Sequence, residues 1–349
     1  ILSMVFGADI ESNLALTLAI EIAFVWIVVF MSFSKVSDSE WILNGGAVLK
    51  VPVAVSVGVL GIWYACANGF AGSMAPETFL PDLTNTAALG YLSIIIFNFT
   101  GFEVICTFAK DMQNPARDIP KAIILGGLAI GAIYLFCGFG IGAAIPADQI
   151  DPDFGMLYAV ITMVGETSPI FVIIAVVFLI TLFANMASWS FGVNAVAQYA
   201  AKNQNMPKVF AHENPKTGMP TGAAIVNGIV ATVVLLIQLI PNEAISNGLF
   251  WTLFATSVVF LLLTYIPMFP AFIKLRKVDA NRPRVYRFPF QGTAMKVILA
   301  IPVIELVLAI VATLVPFAAE EVADKVPMIA IFFIFLLMGE VVRVVCARG

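Results

Sequence analysis

Phe97-Asn98-Phe99-Thr100-Gly101-Phe102-Glu103 interrupts an apolar run that extends from Ala87 to Ala109. A carboxylate at mid-span costs roughly 2.5–3.5 kcal/mol on insertion scales. The Asn98-to-Gly101 step favours a break in the helix. Broken backbone at membrane depth is tolerated only where it is buried in protein or lines a cavity. The run therefore predicts a discontinuous helix built around a substrate path, a pattern that points to a transporter.

The rest of the chain agrees with that setting. Its 349 residues are 61% hydrophobic and 11% charged, with a mean hydropathy of +1.00. Soluble domains carry about 25% charged residues. The predicted fold class is therefore all-α and polytopic, inserted in a lipid bilayer. The net charge of −4 says less than the placement of the charges. Cys66, Cys106, Cys137 and Cys346 lie in or beside apolar runs, with no metal-site spacing, and are expected as buried small hydrophobes. His212, the single histidine, falls in a polar loop, which leaves no support for imidazole catalysis inside the membrane. Nothing in the sequence calls for a metal or another cofactor, for an ATP-driven cycle, or for nucleic acid as a partner.

Nine stretches approach the ~20 apolar residues a span requires. They are Leu14–Phe33, Gly45–Ala67, Ala87–Ala109, Ile119–Ile145, Ile170–Tyr199, Thr221–Ile240, Gly248–Ile273, Met295–Phe317 and Val326–Val345. Of the 18 Lys and Arg residues, all but Lys325 fall on one set of alternating connections. The opposite set carries acids, among them Glu77, Asp82, Asp148, Asp151, Asp153, Glu320 and Glu321. The positive-inside rule then places the basic connections and the C-terminus in the cytoplasm and Ile1 outside. An N-terminus outside, without Met or signal peptide, is the expectation for the later part of a longer protein preceded by an odd number of spans.

Several side chains stand out against this background. In the broken run, unwound backbone offers polar groups to a ligand, a following half-helix N-terminus favours an anion, and Phe97 and Phe99 offer rings for stacking. The segment Lys110 to Ala122, with Asn114-Pro115 and Pro120, reads as a compact cytoplasmic turn. Thr181, Asn185, Ser188 and Gly192 share one helical stripe beside Trp189, either lining a path or allowing close helix packing. Thr252, Thr256 and Ser257, with Trp251 and Phe254, form a weaker polar group, since a membrane threonine commonly bonds its own backbone. Lys50 stands near the cytoplasmic end of its span, either as a switchable buried charge or as a snorkelling surface lysine. Glu21 and Glu305 are expected to make interhelix contacts. The basic segment Arg282 to Pro289 suits a surface that meets anionic lipid.

Taken together, these segments resemble the amino acid–polyamine–organocation permeases. Gly101-Phe102-Glu103 with Asn114-Pro115 and Ile119-Pro120-Lys121-Ala122 is similar to their sixth helix and the loop after it. Thr181 to Ala223, with Trp189, Met206-Pro207 and Pro215 to Pro220, resembles their eighth helix and its loop. Leu275-Arg276, Arg282-Pro283 and Tyr286 to Pro289 resemble the basic loop before the eleventh, and Leu80-Pro81-Asp82 is similar to the glutamate/GABA antiporter branch. The resemblance implies a leucine-transporter-like inverted-repeat fold, with the nine spans as family helices four to twelve. Residues 1–349 would form one membrane transport domain: 14–67 ending the first repeat, 87–276 the second, and 295–345 two accessory helices.

By position, the resemblance implies that Phe97 is a substrate-stacking gate and that Asn98, Phe99, Thr100 and Gly101 form the unwound backbone. It gives Glu103 a part in coupling and gating, and Trp189 a place beside the pocket. Asn185, Ser188, Thr252 and Thr256 complete the expected lining. Lys50 resembles a lysine whose charge replaces a sodium ion in some branches. The leading expectation is a secondary amino acid transporter of the plasma (inner) membrane that exchanges amino acids or related amines by alternating access, and not an enzyme. A proton-coupled amino acid or polyamine symporter is the alternative, with Lys50 or Glu103 titrating.

Overall fold

The computed structural model describes residues 1–6, 10, 12–79, 91–102, 105–106, 109, 112–150, 155–240, 243–282 and 288–348. Among these residues the regular structure is helical. In chain order the α-helices are α1 (Leu2–Phe6), α2 (Leu14–Met31), α3 (Val36–Asn68), α4 (Leu92–Phe97), α5 (Pro115–Ala144) and α6 (Gly155–Val164), followed by α7 (Pro169–Lys202), α8 (Thr221–Leu235), α9 (Glu243–Tyr265), α10 (Met268–Val278), α11 (Gly292–Leu314) and α12 (Val322–Arg348). Among the described residues, eight helical stretches are long and apolar enough to cross a bilayer. The third expected span, Ala87–Ala109, is the exception: its only described α-helix is α4, and the chain leaves α-helical geometry after Phe97.

Two other spans differ from expectation. The seventh is divided into α9 and α10, which meet at Ile266-Pro267. A proline disfavours helical geometry in the residue before it and brings no N–H to the ladder. The sixth ends its α-helix at Leu235 and continues as a 3-10 turn to Leu239. Helix starts follow local chemistry. Asn13 accepts the Leu16 N–H at 3.1 Å to cap α2. Ser168 accepts the Ile170 N–H at 3.3 Å, with Pro169 in the first turn of α7. The fourth span begins at Pro115, earlier than expected, because the Asn114 carbonyl accepts from Arg117 and Asp118.

Residue contacts divide the chain into two compact units. Unit 1 comprises Ile1–Leu80, Leu128–Leu239 and Val341–Gly349. Its main core joins Val53 and Val57 of α3, Leu157 and Val160 of α6, and Phe171, Ile174 and Ala175 of α7. The ten-residue α6 is too short to span and is not evident from hydropathy, yet it supplies this core. Small residues set the helix spacing: a Cβ on Gly46 of α3 would lie 2.1 Å from the Ala184 Cβ of α7, and Gly58 and Gly61 of α3 meet Gly140 of α5 backbone to backbone. Side chains tie the remaining helices together. Trp26 Nε1 donates to Thr232 Oγ1 (3.2 Å), Asn227 Nδ2 to the buried Asn194 Oδ1 (2.6 Å), and Gln238 Nε2 to Glu21 Oε2 (2.8 Å). Glu21 thus makes the interhelix contact expected of it.

Unit 2 comprises Pro81–Gly127 and Ile240–Glu340. Val258 and Leu262 of α9 pack with Leu306 and Ala309 of α11, and Leu92, Ile96 and Phe97 of α4 close the cluster. Glu305 departs from expectation. It is exposed on α11 and has no polar partner among the described residues. The cysteines do so too: Cys66 and Cys106 are exposed and the other two partly so.

Candidate functional site

The break at the end of α4 is the central feature of unit 2. Asn98 and Phe99 form a turn, and Thr100 and Gly101 carry no regular structure. The Thr100 hydroxyl donates to the Phe97 carbonyl at 2.7 Å, which closes the helix end. Gly101 has φ +98°, a conformation in which an L side chain is strained. Of the residues beyond it, Phe102, Ile105 and Cys106 have 3-10 geometry, so the expected half-helix is not found among the described residues. Glu103 lies outside the described residues.

The amides at the break are occupied, not open. Phe99 N–H donates to Ile96 O (2.9 Å) and Thr100 N–H to Phe97 O (3.0 Å). Gly101 N–H donates to the Tyr265 hydroxyl at the end of α9, at 3.0 Å. Tyr265 was not among the residues singled out from the sequence. Its one legible signal is position, immediately before the Ile266-Pro267 break. The phenol occupies a donor that unwound backbone would otherwise offer to a ligand. We expect Tyr265→Phe to keep the fold and to change the apparent substrate affinity by about threefold to tenfold, in line with about 1 kcal/mol for one hydrogen bond. A concentration series of uptake checks this.

Aromatic side chains gather beside the break. The Phe97 ring meets Phe254 edge-on (6.2 Å between centroids, 79°), and Phe254 meets Trp251 in the same way (5.8 Å, 86°). Phe99 and Asn98 are exposed. Thr252 is buried and bonds its own helix through Gly248 O at 2.7 Å. Thr256 is also buried, but its hydroxyl has no hydrogen-bond partner among the described residues, and the same is true of Ser93 on α4. Buried hydroxyls without partners are uncommon in folded proteins.

Unit 1 brings together two residues that the sequence offered separately. Lys50 Nζ of α3 donates to Asn185 Oδ1 of α7 at 2.6 Å. The contact sits one turn from Gly46 and directly after Ala184, a pair at which a Cβ on the glycine would lie 2.1 Å from the Ala184 Cβ. On the same stripe Thr181 bonds its own backbone at Phe178 O (2.7 Å), Gly192 is buried, and Ser188 is exposed and joins no cluster. Trp189 lines a cavity of about 250 Å³ in this unit, with Met186, Val193 and Asn227. No group of His, Cys, Asp and Glu among the described residues has the arrangement of a metal site.

Comparison with known proteins gives the family of the chain. A family model described as amino acid permease matches residues 1–338. A probable agmatine/putrescine antiporter of Lactococcus lactis subsp. lactis (strain IL1403) is 41% identical over 346 residues, covering 98% of this chain and 73% of that protein. An uncharacterized transporter of Legionella pneumophila is 25% identical over 319 residues, 90% of this chain and 68% of the relative. A glutamate/gamma-aminobutyrate antiporter of Lactococcus lactis is 22% identical over 299 residues, 83% of this chain and 59% of the relative. A polytopic all-α chain with a break in one span, matched over nearly its whole length in this way, belongs to the amino acid permease family.

Proposed function

We propose that this transporter exchanges protonated amines, with agmatine and putrescine as the first substrates to test. The observation that carries the reading is the 41% identity to a probable agmatine/putrescine antiporter across 98% of the chain. The chemistry beside the break supports it. Phe97, Phe254 and Trp251 form an aromatic group in unit 2, and aromatic faces attract ammonium and guanidinium ions. Agmatine and putrescine each carry two positive charges at neutral pH, so one-for-one exchange moves no net charge. Glu103 is the proposed counter-charge for the cation. The orphan hydroxyls of Ser93 and Thr256 are proposed as further polar lining, and Asn98, Phe99 and Thr100 as the surrounding surface. Trp189, Ser188 and Thr252 are kept as lining residues on the resemblance alone. The catalysed event is translocation, with no covalent step.

Orientation follows charge. The connections rich in Lys and Arg face the cytoplasm of the proposed inner-membrane protein, and the C-terminus is inside. Lys325, the lone base on the other side, supports this assignment. Its ammonium pairs with Glu321 at 2.8 Å and donates to the Ala312 and Val315 carbonyls, both at 2.9 Å. That charge is neutralised within its own connection.

Counterflow in proteoliposomes tests the function. Vesicles loaded with putrescine are expected to accumulate labelled agmatine at least about tenfold faster than empty vesicles. Uptake into empty vesicles driven by a proton gradient alone overturns exchange and supports symport. In the same assay Lys50→Ala is expected to flatten the pH dependence of exchange while the order of substrate preference stays unchanged. The Lys50–Asn185 contact is the motivation, since it fixes a titratable charge between α3 and α7. A pH profile identical to that of the unmodified protein removes Lys50 from the coupling mechanism.

A further inference from the structure

The cytoplasmic end of unit 2 contains an arginine whose surroundings do not satisfy it. Arg276, in the last turn of α10, has its guanidinium carbon 4.5 Å from the Phe272 ring centroid and 5.7 Å from that of Phe288. One terminal nitrogen reaches Met295 Sδ of α11 at 3.6 Å. Its Nε is buried without a hydrogen-bond partner, and no carboxylate pairs with it among the described residues. Two rings and a thioether hold the charge in place, but they are weak acceptors for its N–H groups. A guanidinium fork fixed in this way is matched by an oxyanion that takes two parallel hydrogen bonds.

The setting of α10 indicates where that oxyanion comes from. Met268, Leu275 and Val278 are exposed apolar residues spaced three to seven apart on this helix. Lys274 and Lys277 are exposed on the same element, and Lys296 follows on the first turns of α11. An amphipathic helix with apolar residues outward and lysines at its flank lies in the membrane interface. Several basic residues directly cytoplasmic of a span attract anionic lipid. We propose that Arg276, held by Phe272, Phe288 and Met295, binds the phosphate of an anionic phospholipid in the cytoplasmic leaflet, with the exposed lysines of α10 and α11 adding long-range attraction to its negative charge. This rests on the orientation proposed above and does not depend on which amine is carried.

Native mass spectrometry of the purified transporter, titrated with phosphatidylglycerol and phosphatidylcholine, tests the site. The unmodified protein is expected to retain phosphatidylglycerol in preference by at least about fivefold, the value expected for one basic residue near the surface. Arg276→Gln is expected to lower that preference by about fivefold, and Arg276→Lys to lower it by less. Because Arg276→Gln can fail to fold, Met295→Asp is the second variant. It places a carboxylate beside the same guanidinium, and the preference is expected to vanish in a protein that still folds. Equal preference in folded Arg276→Gln or Met295→Asp protein overturns the proposal. Displacement of the lipid by millimolar inorganic phosphate also overturns it, because the ligand is then a free anion. Agmatine counterflow measured on the same preparation reports on the exchange reading separately.

Discussion

Gly101→Val is expected to lower amine exchange by about 100-fold while the protein still reaches the membrane. Gly101 has φ +98°, and a β-branched residue there carries a strain of about 1–3 kcal/mol. The variant relieves that strain by rotating to negative φ. Rotation re-aims the chain beyond position 101 relative to the peptide whose N–H donates to the Tyr265 hydroxyl at 3.0 Å, and so disturbs that contact. It also permits helical geometry to continue through the turn at Asn98 and Phe99. Both changes remove the interruption on which the proposed cargo site depends, whereas the packing of Leu92, Ile96 and Phe97 on α9 and α11 is left in place. Initial rates of counterflow, normalised to the amount of folded protein, are the check. Exchange at the unmodified rate in Gly101→Val means that the break has no role in transport.

Gly61→Val is expected to have the larger effect on folding. A Cβ at Gly61 would lie 2.1 Å from the Gly140 carbonyl oxygen and 2.3 Å from its carbon. Both atoms are backbone, so no side-chain rotation relieves the clash. Gly140 is equally tight against a second residue of α3: a Cβ there would lie 2.5 Å from the Gly58 carbonyl oxygen. Overpacking a core costs about 1–3 kcal/mol when side chains give way, and more when two helices must separate. Here separation opens α3 from α5 next to the cluster built on Val57, Leu157 and Phe171. The expected result is loss of the monodisperse peak in size-exclusion chromatography of detergent extracts. Gly45→Ala is the control, because nothing lies within 4 Å of a Cβ there, and it is expected to behave as the unmodified protein.

Span positions were legible because hydropathy is a local property. Leu14–Phe33 was expected and α2 runs Leu14–Met31. The interruption after Phe97 was legible for the same reason, since Asn98, Thr100 and Gly101 are adjacent in sequence and each disfavours a continuous helix. The partners of those groups were not legible. Tyr265 is far from Gly101 in the chain, and a tyrosine near the end of an apolar run has no pattern that separates it from an interfacial anchor. Lys50 and Asn185 were each singled out, but their contact joins α3 to α7 and depends on the close approach at Gly46 and Ala184. Pro267 lies inside Gly248–Ile273, yet that stretch reads as one span because its hydropathy does not fall there. Glu305 was expected to find an interhelix partner on the general rule for membrane carboxylates. Its place on the outer face of α11 is set by packing of Leu306 and Ala309, which hydropathy does not encode.

The central claim is that cargo occupies the break at Asn98 to Gly101. Asn98 is exposed there, so a single cysteine at that position reports on it once Cys66, Cys106, Cys137 and Cys346 are replaced by serine or alanine. The measurement is the rate at which a small hydrophilic thiol reagent labels Asn98→Cys in an exchange-competent protein, with and without saturating agmatine. The account predicts that agmatine slows labelling by at least about tenfold and that a neutral amino acid of similar size does not. Labelling at the same rate with and without agmatine, in protein that still exchanges, contradicts it.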